Sequence, residues 1–401
     1  MGNIHLKKVI YAGIIALAAT LFVHNSEAKA AKDVTEHTSK EIYLQSLDVP
    51  DRIARFVFNA GLEFEYPEAV RGIYVTGPSA GGAKMAELTE LVESTELNAM
   101  VIDVKEDHGN ISFEPPEDSP YADIAEPYID DPRKMLEELE KKGIYPIARV
   151  VVFKDSLLAE ERPDLSFTKN GEVWKNSRNE AFVNPFKQEV WEYNLEIAKM
   201  AAEIGFQEIQ FDYVRFPEGF ENRDEELDYG EGEYAESKDN NIKKRVSAVT
   251  DFVEFARKDL SDYDVDVSVD IFGYAATIEE SPGIGQNFSQ ISDNVDVISS
   301  MIYPSHWGPY FGIDKPDTEP YRIIDEYAQV ENQILGELED APVSRPWLQD
   351  FEAPWLYSGS TFQYGKAEVE DQIRALQDNG IEEYLLWNAT NNYTENVDYT
   401  P

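Results

Sequence analysis

The feature of this sequence that most constrains its fold is an alternation of two kinds of segment, which begins at Arg71. Short runs of apolar and β-branched residues alternate with longer amphipathic segments, as in repeated βα units around a parallel sheet. The eight candidate strands are Arg71–Thr76, Ala99–Lys105, Tyr145–Phe153, Glu208–Phe216, Asp264–Phe272, Asp296–Tyr303, Ser344–Phe351 and Glu383–Asn388. The six clearest helices are predicted over Ala83–Ser94, Pro132–Lys142, Phe186–Ile204, Asn240–Leu260, Tyr321–Leu338 and Lys366–Asn379.

Eight strands with helices between most of them favour an α/β fold of the (β/α)8 TIM-barrel type over an open doubly wound sheet. No G-x-G-x-x-G motif follows the first strand, which argues against a dinucleotide-binding fold. The composition, 42% hydrophobic and 12% aromatic, supplies enough apolar material for a large core. We therefore predict one barrel over residues 70–395, preceded by a lead-in segment over residues 31–69 that contains a short helix near Asp51–Phe58.

The charge of the chain limits its partners. There are 78 Asp and Glu residues against 35 Lys and Arg, a formal net charge of −43. A surface of this sign repels phosphate backbones, so we expect no nucleic-acid partner, and anionic membranes and strongly acidic polymers are disfavoured for the same reason. Cysteine is absent, which excludes disulfides, a thiolate nucleophile and Cys metal sites.

The first 30 residues have the organisation of an export signal. Lys7 and Lys8 precede an apolar run over Val9–Val23, and Ala28-Lys29-Ala30 offers small residues at the offsets that signal peptidase requires. The run is shorter than the ~20 residues that span a bilayer, which disfavours an uncleaved anchor. We predict cleavage after Ala30, a secreted or cell-wall-associated product, and no stable membrane insertion after cleavage.

Two connections are long, residues 154–185 after strand three and residues 217–239 after strand four. Both follow the C-terminal ends of strands, the face of a barrel where active sites form. The second connection is rich in carboxylates, with only Arg223 and Lys238 against them. Its acidic residues lack the spacing of a calcium loop, which favours a solvated loop over a calcium site.

Charged residues stand at the ends of several strands, where a packed core would have apolar ones. Asp212 lies on strand four among Phe211, Tyr213 and Val214, and Asp270 stands at the matching level of strand five. Two carboxyl groups across a barrel mouth are what glycosidic cleavage needs: a nucleophile or stabiliser and a proton donor. We predict Asp212 and Asp270 as this pair, with Asp103, Asp350 and Glu352 as reserve carboxylates. Alternatively, Asp212 is a structural partner of Arg149 or Arg215, and Asp270 orients a neighbouring basic residue.

Aromatic residues cluster in the segments that follow strands six and seven and on strand eight. The set comprises Tyr303, His306, Trp307, Tyr310, Trp355, Tyr357 and Trp387. Flat rings beside hydrogen-bonding groups suit sugars, whose C–H faces stack while their hydroxyls seek polar partners. Only five histidines occur and no H-x-x-x-H pair exists, so we predict no metal site and disfavour a zinc hydrolase.

Several segments resemble a known family, namely RGIYVTG, VIDVKEDHG, ARVVVFKD, IQFDYVRFP, DVSVDIFGY, MIYPSHW, WLQDFE and YLLWNAT. They are similar to the glycosyl hydrolase barrels of secreted bacterial proteins, which are distantly similar to the α-amylase and α-galactosidase groups. In those groups the aspartate on strand four is the nucleophile, so the resemblance implies that role for Asp212. Their acid/base is a carboxylate on strand five or six, and Asp270 is the nearest match.

The first hypothesis is therefore a secreted glycoside hydrolase that needs no cofactor. Asp103, Lys105, Arg149, Arg215, Tyr303, His306, Trp307, Asp350 and Trp387 are its predicted substrate-binding residues. Lys105, with Asp103 on the same side of strand two by the two-residue period, would join Arg149 and Arg215 in keeping Asp212 ionised. The alternatives are a non-catalytic glycan-binding barrel of the cell envelope, and a hydrolase or lyase that acts on amino-sugar polymers.

Overall fold

Eight parallel strands close into a barrel. A computed structural model of the chain describes residues 57–117, 119–356 and 362–400. The barrel strands are β1 Arg71–Val75, β2 Ala99–Lys105, β3 Tyr145–Val151, β4 Glu208–Asp212, β5 Asp266–Phe272, β6 Val297–Met301, β7 Trp347–Gln349 and β8 Tyr384–Trp387. Each strand pairs in parallel with the next, and β8 pairs with β1 to close the ring. The predicted (β/α)8 barrel is confirmed.

One helix in each connection between successive barrel strands forms the outer layer. These helices are α1 Lys84–Glu93, α2 Pro132–Lys142, α3 Gln188–Ile204, α4 Asn241–Leu260, α5 Phe288–Ser292, α6 Pro320–Leu335 and α7 Lys366–Asp378. The six predicted helices are present with small shifts at their ends, whereas α5, only five residues long, was not predicted. The bounds of α2 match the prediction because Asp131 caps its first turn and Gly143 ends it at φ 67°.

Shorter elements lie within the connections between the barrel strands. They are the helices Gly77–Ala80 and Ser156–Glu161, the strands Ile111–Phe113, Ala125–Ile129, Thr168–Lys169, Glu172–Val173 and Val343–Ser344, and the 3-10 turns Ala122–Ile124, Pro163–Leu165, Phe220–Asn222, Gly232–Glu236, Gly273–Thr277, Pro304–His306 and Pro316–Thr318. The two long connections after β3 and β4 meet each other, since Thr168 and Asp228 exchange backbone hydrogen bonds. They therefore build one rim of the barrel mouth together.

The N-terminal end of the barrel is closed by a buried ionic network. The guanidinium of Arg345 donates to Glu208 on β4, to Glu383 beside β8 and to the hydroxyl of Tyr66, each at 2.8 Å. Tyr66 belongs to the segment before β1, so this part of the lead-in lies against the barrel. Arg345 and Pro346 also interrupt the predicted strand Ser344–Phe351, because Pro346 has no N–H to donate to a neighbouring strand.

Two departures from the sequence prediction affect the C-terminal end of the barrel most. Strand four ends at Asp212 rather than Phe216, because Tyr213 adopts a left-handed backbone with φ 53°. Strand β2 contains a bulge between Asp103 and Lys105, which pair with the consecutive residues Arg149 and Val150. The bulge breaks the two-residue alternation, so the prediction that Asp103 and Lys105 share one side is wrong.

The predicted signal over residues 1–30, most of the lead-in, and all but the end of the helix near Asp51–Phe58 lie outside the described residues. Within the described ranges, no helix is both long enough and apolar enough to cross a membrane.

Candidate active site

The two predicted catalytic aspartates lie side by side at the C-terminal end of the barrel. Phe211 on β4 pairs with Val269 on β5, so the next residue on each strand places Asp212 level with Asp270. Both side chains are almost completely buried, with relative exposures of 4% and 2%. Because neighbouring strands lie about 4.8 Å apart, this register brings the two carboxyl groups into one site.

Arg149 on β3 organises the carboxylates around it. Its guanidinium donates to Oδ2 of Asp212 through Nη2 at 2.6 Å and Nε at 2.9 Å. It also donates to Asp103 at 2.7 Å and to Asp107 at 2.8 Å. The two charge-assisted hydrogen bonds fix Oδ2 of Asp212 against a cation.

Aromatic rings hold Arg149 in place. The centroids of the Tyr74 and Trp387 rings lie 5.5 and 5.4 Å from its guanidinium carbon, and the two rings stack at 4.0 Å. The hydroxyl of Tyr74 donates to Asp103 at 2.5 Å. Asp103 is buried behind Arg149, and that burial raises its pKa to about 6 although Arg149 and Tyr74 act in the opposite direction. Asp103 therefore supports Arg149 rather than lining the open cleft.

Asp270 has the opposite environment to Asp212. Burial raises its pKa well above the usual range, and the nearby charge of Asp212 raises it further. The indole Nε1–H of Trp347 donates to Oδ1 of Asp270 at 2.7 Å and lowers the pKa in part. The two neighbouring carboxyl groups therefore have different environments, Asp212 against a cation and Asp270 buried with a raised pKa, and unlike environments of this kind suit separate acid and base roles.

The residue after Asp212 carries backbone strain. Tyr213 is a non-glycine residue at φ 53°, and its backbone N–H donates to Oδ1 of Asp212 at 2.6 Å. Its ring packs against Lys154 and Arg215, with the cations 4.6 and 4.7 Å from the ring centroid. Strained residues of this kind persist where the surroundings fix them, often at functional sites. Here the turn fixes Oδ1 while Arg149 fixes Oδ2.

An open cleft of about 670 Å³ lies over the two aspartates. Its aromatic lining comes from all sides and consists of Tyr213, Phe272, Tyr274, Tyr303, Trp307, Tyr310, Trp347 and Trp387. Burial keeps the Tyr303 phenol protonated by raising its pKa, with a further contribution from Asp270, and burial lowers the pKa of His306. The cleft therefore offers flat faces and neutral hydrogen-bonding groups next to the carboxyl pair.

The cleft continues into a second cavity on each side. A cavity of about 400 Å³ shares Arg178, Arg215 and Glu218 with it, and one of about 620 Å³ shares His306 and Trp387. The first lies among the long connections after β3 and β4, and the second among the segments after β7 and β8. The aspartates thus lie between two extensions of one groove.

The structure brings most predicted site residues to this groove, and places others elsewhere. Asp212, Asp270, Arg149, Arg215, Tyr303, His306, Trp307 and Trp387 line the central cleft. Asp350 and Glu352 line the cavity after β7 and β8, where Asp350 accepts hydrogen bonds from the backbone and hydroxyl of Thr394. Arg215 pairs with Glu218 at 3.2 Å rather than with Asp212, and Tyr357 lies outside the described residues.

Lys105 is not part of the groove. Its ammonium is fully buried, forms an ion pair with Asp155 at 2.7 Å and donates to the carbonyl of Val151. The β2 bulge turns this side chain away from Arg149, toward the ring of Tyr193 on α3. The prediction that Lys105 binds substrate and keeps Asp212 ionised is therefore wrong, because the simple alternation of a strand does not hold across a bulge.

Two residues of the site, Asp107 and Trp347, were not singled out from the sequence. Asp107 lines the cleft and pairs with Arg149 and Lys154; burial would raise its pKa, but these two cations lower it below the usual range. From the sequence alone Trp347 would be interpreted as a core residue. Only the hydrogen bond of its indole to Asp270 shows that it belongs to the site. Asp107 could have been found from its place in VIDVKEDHG, one of the most specific segments.

Among the described residues, no group of three or more His, Asp or Glu side chains is arranged to hold a metal ion. In the acidic connection after β4, Asp224 and Glu231 pair instead with Arg245 and Lys244 on α4.

Comparisons with known proteins identify the family and the fold of this chain. Residues 72–393 match a family model described as "Putative glycosyl hydrolase domain". The glycoside hydrolase domain of PgaB (BpsB) from Bordetella bronchiseptica is 15% identical and aligns over 80% of this chain and 94% of its own, with a TM-score of 0.55. This likeness shows a shared fold.

A hypothetical protein from Ruminiclostridium thermocellum ATCC 27405 is 29% identical over 49% of this chain and 96% of its own, with a TM-score of 0.42. The α-galactosidase TtGalA from Thermus thermophilus is 10% identical, covering 82% of this chain and 60% of its own, with a TM-score of 0.47. A search of curated proteins finds no match.

Proposed function

Because this chain belongs to the family described as "Putative glycosyl hydrolase domain", we propose that it cleaves an oligo- or polysaccharide with Asp212 and Asp270 as its two catalytic carboxyl groups. The observation that carries this proposal is the pairing of two adjacent carboxyl groups in unlike environments. The guanidinium of Arg149 donates twice to Asp212, and a cation stabilises a carboxylate, whereas burial raises the pKa of Asp270 and favours its acid form. A nucleophile and a proton donor need these two states at the same pH.

Asp212 is the nucleophile in this mechanism. Its carboxylate attacks the anomeric carbon while Asp270 gives its proton to the glycosidic oxygen, which leaves with the electron pair of the broken C–O bond. Asp270, now ionised, then accepts a proton from water as that water attacks the anomeric carbon and releases Asp212. The strand spacing of about 4.8 Å is close to the separation of about 5 Å in retaining enzymes, so we expect retention of the anomeric configuration.

The groove supports cleavage within a polymer. The carboxyl pair lies between two extensions, so sugar units on both sides of the scissile bond have room to bind. The exposed ring of Trp355, with 65% relative exposure, stands in one extension and the ring of Trp174 in the other. Trp174 is half-buried, and ring faces that remain accessible in this way suit the C–H faces of sugars.

The test is release of reducing ends from a panel of soluble polysaccharides by wild-type protein, Asp212→Asn and Asp270→Asn. Asp259→Asn, on the outer end of α4, is the matched control because it removes a carboxylate far from the groove. We expect release by the wild type and the control, and release lower by at least about a hundredfold for either groove variant. If the wild type and all variants bind glycan but none of them releases reducing ends, the catalytic proposal is overturned and a glycan-binding barrel is favoured.

Export of the protein is part of this proposal. The basic residues before Val9–Val23 and the small residues around Ala30 support cleavage of a signal and action outside the cytoplasm. N-terminal sequencing of the protein from culture medium and cell wall tests it, and a start at Ala31 is the expected result. A mature protein that retains Met1 would overturn the assignment.

A further inference from the structure

The extension among the connections after β3 and β4 is basic. Its lining contains four cationic side chains, Lys175, Arg178, Arg215 and Arg223, and one carboxylate, Glu218. The whole chain has more than twice as many acidic as basic residues, so the excess of basic residues in this lining is the reverse of the protein's overall composition. Three of the four are ion-paired, with Arg215 bound to Glu218, so the charge that can attract an anionic group on a substrate is that of Arg223.

The cations of this basic extension differ in how fully they are neutralised. Lys175 pairs with Glu160 at 2.6 Å, and Arg178 pairs with Glu180 at 3.0 Å. Arg223 forms no ion pair with any residue that the structure describes; its guanidinium lies over the ring of Trp174, 5.6 Å from the centroid. Its charge is therefore available to a ligand that stacks beside Trp174.

The extension after β7 and β8 has the opposite character. It is lined by the carboxyl groups of Asp350 and Glu352, the amides of Asn388 and Asn392, and the exposed ring of Trp355. None of the described residues that line it is Lys or Arg. Amides and an aromatic face suit a neutral sugar, whereas two acidic groups repel an anionic one.

From this asymmetry we propose that the groove binds a glycan with a negatively charged sugar unit in the basic extension and a neutral unit in the opposite one. The inference rests on the proposed glycoside hydrolase function and names its substrate class. A carboxylate and a sulfate ester both fit the planar guanidinium of Arg223. Because the rest of the surface repels polyanions, the charged units are spaced along the chain by neutral ones.

Binding to the inactive Asp270→Asn protein at low ionic strength tests this assignment. The probes are hyaluronan, unsulfated chondroitin and gellan, each compared by calorimetric titration with its carboxyl-reduced form. Carboxyl-reduced chondroitin sulfate distinguishes an ester from a carboxylate. Arg223→Gln removes the available cation, and Arg374→Gln, on α7, is the matched control for loss of one exposed arginine.

We expect at least one acidic glycan to bind more tightly than its neutral form. Arg223→Gln should weaken that binding about fivefold, as loss of one exposed charge contact of ~1 kcal/mol predicts, and leave the neutral form unchanged. Arg374→Gln should change neither. Equal binding of acidic and neutral forms, or no effect of Arg223→Gln, would overturn the subsite assignment. If wild-type protein cleaves neutral polymers alone, only this inference fails; if it cleaves no glycan, the proposed function fails with it.

Discussion

The indole of Trp347 on β7 donates its Nε1–H to Oδ1 of Asp270 on β5 across the barrel mouth, at 2.7 Å. This contact stabilises the carboxylate form of a group that burial and the charge of Asp212 drive toward the acid form. Trp347 thereby limits how far the pKa of the proton donor rises, which matters because an acid that never releases its proton cannot catalyse.

Trp347→Phe tests this role through the pH dependence of kcat/KM. Losing a hydrogen bond to a charged group worth about 1.5 kcal/mol should raise the pKa of Asp270 by about one unit. Since Asp270 acts in its protonated form, the basic limb of the profile should move to higher pH. Trp191→Phe, in the core against α4, controls for loss of a buried indole and should leave the limb in place. If the basic limb of the Trp347→Phe profile is unchanged, the limb reports the pKa of a group other than Asp270.

The two aspartates should respond differently to the leaving group of the substrate. Asp270→Asn should lower kcat/KM about a hundredfold to ten-thousandfold on a poor leaving group, because proton donation is lost. With a dinitrophenyl glycoside of the same sugar, which leaves without a proton, formation of the glycosyl-enzyme should be little affected. Asp212→Asn should lose activity on both substrates by at least about a thousandfold, because no nucleophile remains. Stopped-flow measurement of dinitrophenolate release checks this, and equal losses in the two variants would contradict the assigned roles.

Arg149 should be essential to stability as well as activity. Arg149→Met leaves Asp103, Asp107 and Asp212 without their shared cation, and unpairing buried charge typically costs about 3–5 kcal/mol. The pKa of Asp103 is already raised to about 6 and should rise further, so the folded variant binds protons more tightly than the unfolded chain. Its unfolding free energy should therefore fall more at pH 8 than at pH 5.

Denaturant unfolding of Arg149→Met and Arg149→Lys at the two pH values provides the measurement. Arg149→Lys keeps the charge and should lose less stability, while Arg374→Met should show little change at either pH. A loss in Arg149→Met that does not depend on pH would mean that the carboxylates find other partners.

The periodicity of the chain predicted the eight strands and six of the seven labelled helices, because apolar spacing is a direct consequence of which face packs on the core. The matching level of Asp212 and Asp270 was also predictable, since both are charged residues within the apolar runs of neighbouring strands. The position of Lys105 was not, because a bulge arises from local backbone geometry that the pattern does not encode. Trp347 illustrates a second limit: its burial follows from its residue type, but the hydrogen bond of its indole depends on contacts between β7 and β5 across the barrel.

Lys105 gives the last prediction, because the structure assigns it to stability and not to substrate binding. Lys105→Met leaves Asp155 as a buried, unpaired carboxylate and should lower the unfolding free energy by about 3–5 kcal/mol. Asp155 also accepts from the backbone N–H of Leu158 at the start of helix Ser156–Glu161, a cap that an asparagine can still supply. Adding Asp155→Asn to Lys105→Met should therefore recover much of the loss by removing the charge while keeping the cap. Activity per folded molecule should match the wild type in the double variant. A raised KM in a double variant whose stability is restored would mean that Lys105 does bind substrate.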